Sequence, residues 1–125
     1  MTREQAIFDF WNSFDIPAFE ENSVPTGDDA PEFPYITYST AKADFGKEVL
    51  LSGNIWTRST SWQQAIDFET QVYNAICYGG KTIELDNGKI WLKRGNPFSQ
   101  PMGDDSDNMI KRKYINLTVE FATNN

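Results

Sequence analysis

Histidine is absent from the 125 residues, and cysteine occurs once, as Cys77. The first absence removes the commonest general base and the usual zinc ligand, so Ser-His-Asp triads and His-built metal sites are excluded. The second excludes an internal disulfide. Cys77 falls within a helical pattern, which predicts a buried thiol in a reducing compartment. No apolar run reaches membrane-spanning length, and Met1-Thr2-Arg3-Glu4 lacks the apolar core of a signal peptide. These features predict a soluble protein made in the cytoplasm. Phosphate loops, internal repeats and paired-carboxylate constellations are also missing, so the expectation is a non-enzyme without metal or cofactor.

Basic residues are missing from one long stretch. Between Asp15 and Pro34 stand Asp15, Glu20, Glu21, Asp28, Asp29 and Glu32 with no lysine or arginine, against a net charge of −7 for the whole chain. An acidic chain has no electrostatic footprint for phosphate backbones, which argues against sequence-specific nucleic-acid binding. An acidic wall nevertheless lets a duplex pass without sticking to it. The same stretch holds four of the six prolines and no periodicity. It reads as a long loop, laid against the body through Ile16, Ala18, Phe19 and Val24 or else solvated.

What is present suffices for one domain over residues 1–125, with 39% hydrophobic and 14% aromatic residues. Thr2 and Gln5 stand in capping-box spacing before a helix from about Arg3 to Phe14, whose stripe is Ile7, Phe10, Trp11 and Phe14. Phe8 lies off that stripe and is a candidate for contact with a neighbouring subunit. Strands are expected over Tyr35 to Ala41 and Glu48 to Arg58, joined by a turn at Phe45-Gly46-Lys47. In the second, Val49, Leu51, Gly53, Ile55 and Thr57 alternate with a more polar face that carries Trp56.

A second helix is predicted over Trp62 to Tyr78, introduced by Thr60 and Ser61 and stopped by Gly79-Gly80. Its expected buried stripe is Trp62, Ala65, Ile66, Val72, Tyr73 and Ile76. Glu69 falls near the middle of that stripe, where an unpaired carboxylate is costly; pairing with Arg58, a lysine or a backbone group is expected. Asn87-Gly88 then marks a type I′ hairpin. That turn sets Leu85 opposite Ile90 and Glu84 opposite Trp91, with Ile83, Leu85, Ile90 and Leu92 on one face. Gly95 to Asn108 reads as a loop holding Asp104, Asp105 and Asp107, in a spacing that lacks the glycine and distal glutamate of an EF-hand loop. A last strand covers Met109 to Thr123. Its start, Lys111-Arg112-Lys113, is expected to project into solvent or to face an acidic neighbour. The fold class is thus α+β: a mainly antiparallel sheet of about five strands flanked by two helices, in the order α-β-β-α-β-β-β, with both helices available to cover one face.

Five series of residues carry a resemblance: Ile16-Pro17-Ala18-Phe19, Phe33 to Tyr38, Trp56 to Trp62, Leu85-Asp86-Asn87-Gly88 through Trp91 to Gly95, and Asp107 to Arg112. Together they resemble the small tail terminator (tail completion, or neck) proteins of long-tailed bacteriophages, siphophages, that infect Gram-positive bacteria. The resemblance covers most of the chain. It implies a structural virion protein that assembles in the host cytoplasm as a ring, usually hexameric, on the finished end of the tail tube. Such a ring ends tube polymerisation and offers a docking surface to the head connector. The implied partners are therefore further copies of the chain, the tail tube protein and the head connector or stopper, with DNA passing through the ring and no membrane involved.

Phe8, Trp56, Arg58, Trp91, Lys111, Arg112 and Lys113 are the candidate interface residues, with Trp56 and Trp91 expected on a shared outer sheet face. Glu20, Glu21, Asp28, Asp29, Asp104, Asp105 and Asp107 are the candidates for axial or lumenal acidic loops. Other readings stay open: a head-tail connector or stopper, a monomeric α+β ligand-binding module, and a hydrolase using Glu69 with a loop aspartate.

Overall fold

The computed structural model describes residues 1–40, 48–104 and 106–123. The turn expected at Phe45-Gly46-Lys47, the end of the first expected strand at Ala41, and Asp105 lie outside them. The elements in chain order are α1 (Arg3–Trp11), β1 (Ala18–Glu20), β2 (Tyr35–Tyr38), β3 (Glu48–Arg58), α2 (Gln63–Ala75), β4 (Lys81–Leu85), β5 (Gly88–Met102) and β6 (Ile110–Thr123). The class is α+β, but among the described residues the sheet has six strands and is mixed, in the order β1-β2-β3-β6-β5-β4. β1 runs parallel to β2, and every other pair is antiparallel.

The extra strand comes from the stretch expected to be a loop. Three residues are too few to print a period of two in a sequence. β1 is fixed from outside: Ala18 N donates to Asn12 Oδ1 at 3.0 Å, and Phe19 lies opposite Thr37. Asp15, at φ 67°, reverses the chain between α1 and β1. The rest of the acidic stretch contains a short 3₁₀ turn, Gly27–Asp29.

α1 begins as expected, with Gln5 N donating to Thr2 Oγ1 at 3.1 Å. It ends at Trp11 rather than Phe14, where the Asn12 side chain donates to Phe8 O. Its stripe of Ile7, Phe10, Trp11 and Phe14 is buried. The face of β3 that carries Leu51 and Ile55, together with Ile115, Leu117, Val119 and Phe121 of β6 and Ile90 and Leu92 of β5, forms the floor of the core. Val72 and Ile76 pack onto the same side as α1, so both helices cover one face of the sheet, and among the described residues the other face carries none.

The hairpin differs from the expected register by two residues. Leu85 stands opposite Gly88 and Ile83 opposite Ile90, so the turn residues are Asp86 and Asn87. Neither has a positive φ; Gly88 takes it, at 145°. A slip of two preserves the alternation of faces, so Ile90 and Leu92 are still buried and Ile83 and Leu85 still pack against the core.

The expected loop after the hairpin is largely strand. β5 continues to Met102, with a register irregularity between Arg94 and Ser99. Pro97 and Pro101 masked this in the sequence. β4 pairs only with Gly88 to Leu92, so the later half of β5 has no further strand beside it among the described residues, and an edge strand tolerates prolines.

α2 is also shorter than expected. It ends at Ala75 because Ile76 adopts an extended conformation that buries its side chain, which carries Cys77 out of the helix to an exposed position. Ile66 and Tyr73, expected inside, are 38% and 43% exposed. The apolar arc of α2 is wider than the surface the sheet offers it. No helix among the described residues is long and apolar enough to cross a membrane.

Candidate interaction surface

The helix-free face of the sheet carries a row of aromatic and cationic side chains across four strands. Tyr35 of β2 lies opposite Trp56 of β3, which lies opposite Arg112 of β6, which lies opposite Met102 of β5. Tyr35 and Trp56 are stacked, with centroids 6.1 Å apart and planes at 15°. The Arg112 guanidinium sits 5.0 Å from the Trp56 ring, and its Nη2 donates to Met102 Sδ at 2.8 Å. Phe33 flanks Tyr35 at 5.4 Å and is exposed. Trp56 Nε1 donates to Thr37 Oγ1 at 2.9 Å, so the indole is held at both its face and its polar edge. Burial pushes the Tyr35 hydroxyl above the usual phenol range.

One end of this row is closed by the β5–β6 connection. Arg58 Nε donates to Asp107 Oδ2 at 2.9 Å, and Met109 N donates to Asp107 Oδ1 at 2.9 Å. The Met109 amide first, and the Arg58 guanidinium second, hold the Asp107 carboxyl below the usual carboxylate range. Asp104 is lowered similarly, by the hydroxyl and the amide of Ser106. These aspartates organise their own loop. A depressed folded-state pKa adds stability that is present above the unfolded value of about 3.9 and is lost as pH falls through the lower folded value. Asp107→Asn is therefore expected to flatten the pH dependence of the urea midpoint below about pH 4. An unchanged acid slope contradicts this role.

Trp91 shares the face with Trp56, as expected, but not the neighbourhood. Their partners on β6 are Glu120 and Arg112. Eight residues of strand separate the two, roughly 25 Å. At its own end Trp91 donates from Nε1 to Gly79 O at 2.9 Å and stands 4.4 Å from Lys93 Nζ, which is ion-paired to Glu48. The two tryptophans do not form a single patch.

The basic triplet does not project from the sheet. It lies in β6, paired on both sides with β3 and β5, and strand alternation divides it between faces. Arg112 faces Trp56, while Lys111 and Lys113 lie on the helix side, 5.7 and 5.6 Å from the Trp62 ring. Lys113 pairs with Glu69 Oε2 at 3.2 Å, and the same oxygen accepts from Ser99 Oγ. A lysine is thus the partner that Glu69 required. Phe8 is 48% exposed on the outer side of α1.

Glu20 ends β1 and accepts from Asn22 N at 2.9 Å, while Glu21, Asp28 and Asp29 are exposed. Compared with protein-family models, with curated proteins and with solved structures, the chain finds no match.

The structure brings Trp56, Arg58 and Arg112 together with Asp104 and Asp107, and separates them from Phe8, Trp91, Lys111 and Lys113. The parts of this surface that sequence reasoning missed are Tyr35, Phe33 and Met102. Their membership follows from strand pairing across β2, β3, β6 and β5, which no local pattern carries. Trp56→Ala is expected to lower unfolding stability by about 2 kcal/mol, since it removes a ring held on both sides. Trp56→Phe should cost about 1 kcal/mol through the lost indole N–H. Urea melts of the two variants separate these terms, and equal costs contradict the assignment.

Proposed function

We propose that this chain is a non-catalytic structural protein of a bacteriophage tail neck, a terminator that assembles as a hexameric ring on the end of the tail tube, stops its growth and receives the head connector. The reading draws on the resemblance of the five residue series and on an α+β domain with both helices on one sheet face. The observation that carries it is the exposure of large apolar side chains on separate sides of a small packed domain. Phe8 on α1, Ile66 and Tyr73 on α2, and Leu50 and Trp91 on the helix-free face are all exposed. A closed ring needs two different surfaces on each copy, and further ones above and below. The loop with Asp104 and Asp107 is assigned to an axial or lumenal surface, where negative charge lets DNA pass. On this reading the protein is located in the virion neck and is assembled in the host cytoplasm.

The test is to add the purified protein to polymerising tail tube protein and to image the products. Rings at tube ends and shorter tubes are expected. Tubes of unchanged length with bare ends remove the terminator reading, and rings that bind the head connector without stopping tubes transfer it to the connector. A second reading, a monomeric ligand-binding module, is favoured by one feature: a cleft of about 400 Å³ between α1 and β4, lined by Ala6, Asp9, Phe10, Ser13, Thr82 and Ile83. It predicts a monomer at every concentration.

A further inference from the structure

The flank of α2 that the sheet leaves uncovered is a compact patch with a definite charge. On a wheel of 100° per residue, Trp62, Glu69, Tyr73 and Ile66 span about 60° directly beside the buried Ala65, Val72 and Ile76. Tyr73 meets the Phe98 ring edge-on at 5.2 Å, and the Arg94 guanidinium lies 3.5 Å from the Tyr73 ring centroid. Lys111 borders Trp62 at the other end. Glu69 is already paired with Lys113, so the patch is apolar with a net positive charge. Its cations have capacity left. Lys111 gives a hydrogen bond to Asn108 O and Arg94 gives two to Tyr73 O, while an ammonium has three donors and a guanidinium five.

The complementary surface is on the same chain but on another part of the fold. The segment with Glu20, Glu21, Asp28, Asp29 and Glu32 carries no cation, and Phe33 at its end is exposed. It connects β1 to β2 at one edge of the sheet, whereas the patch is built on α2, β6 and β5. A patch facing its own copy about a twofold axis sets cations against cations. A patch facing the acidic segment of the next copy pairs unlike charges and leaves the pair with one free surface of each kind.

We propose that the Trp62–Ile66–Tyr73 flank of α2 is the docking surface for the acidic Glu20–Phe33 segment of a second copy, in a head-to-tail contact. The inference deepens the ring reading and rests on it for closure, but the contact itself is tested without tails.

Light scattering of the full chain across a concentration series is expected to show assembly at low salt. Loss of assembly is expected at about 1 M salt, where the screening length is about 3 Å. Ile66→Glu alone, and Asp28→Lys with Asp29→Lys alone, should each weaken self-association about tenfold or more. The decisive measurement is their equimolar mixture. One intact patch and one intact segment remain, on different molecules, so a discrete heterodimer forms and grows no further. Circular dichroism checks that each variant is folded, and Lys111→Glu replaces Ile66→Glu if that variant unfolds. A mixture that stays monomeric overturns the proposal, as does a wild type that is monomeric at low salt. Variants that form rings as the wild type does overturn the contact and leave the ring reading standing. A contact that behaves as described in a protein that never stops tube growth leaves the contact and removes the terminator.

Discussion

Gly53→Ala is expected to destabilise the fold by about 2–3 kcal/mol, despite being the smallest substitution available. Gly53 lies in the middle of β3, opposite Tyr38 on one side and Ile115 on the other. A Cβ placed there stands 2.6 Å from Trp11 Cη2, 2.9 Å from Cζ2 and 3.0 Å from Cζ3, three atoms of one rigid ring. The ring has no room to retreat. It is fully buried, Phe10 meets it edge-on at 5.1 Å, and Tyr38 stacks on it at 6.2 Å. Relief therefore requires α1 itself to shift off the sheet. Overpacking of this kind costs about 1–3 kcal/mol, occasionally more. The reduced freedom of the unfolded chain returns only about 0.4–1 kcal/mol.

The Trp11 indole N–H has no hydrogen-bond partner among the described residues, so packing alone places the ring. That gives the argument a second test. Trp11→Leu opens space above residue 53, and Gly53→Ala should cost at least about 1 kcal/mol less in that background. Additive effects in urea melts exclude the clash as the cause.

Glu69→Ala is expected to cost about 2 kcal/mol. Glu69 Oε2 accepts from Ser99 and pairs with Lys113 at 3.2 Å, with the two charged side chains 20% and 13% exposed. Removing the carboxylate leaves an ammonium shielded between α2 and β6. Breaking a fully buried pair costs about 3–5 kcal/mol, and the residual access of water here lowers the figure. Lys113→Met alone should cost a similar amount, because it leaves the carboxylate with Ser99 only. Glu69→Leu with Lys113→Met should come close to neutral, since apolar packing replaces both charges. A double variant as unstable as the sum of the singles shows that the pair is not the unit that matters.

These two sites differ in how far the sequence foretold them. The conflict at Glu69 was legible, because a carboxylate at an inward helical position demands a partner. The identity of that partner was not, since Lys113 reaches it only through the placement of α2 over β6. Alternation puts Gly53 on the inward face, yet nothing local indicates that Trp11, more than forty residues earlier, occupies the space above it. The surface residues followed the same division. A period of two puts Trp56 and Trp91 on one face, where the structure also has them. Their separation along β6 depends on register, which the face does not encode. Lys111, Arg112 and Lys113 read as one cluster in the chain, and the strand splits them between two faces.

Periodicity and end signals thus determined the α+β class, the start of α1, the extent of β3, the inward set of β6 and the sides of the hairpin. They are properties of neighbouring residues, and short-range sterics and capping act at that range. Tertiary structure decided the rest: the short parallel strand β1, the continuation of β5 through two prolines, the early end of α2 and the exposure of Ile66, Tyr73 and Cys77. Each of these depends on which surface is already occupied by another part of the chain. A strand of three residues exists only because β2 and Asn12 satisfy its backbone, and an apolar side chain is buried only where the sheet extends far enough to cover it.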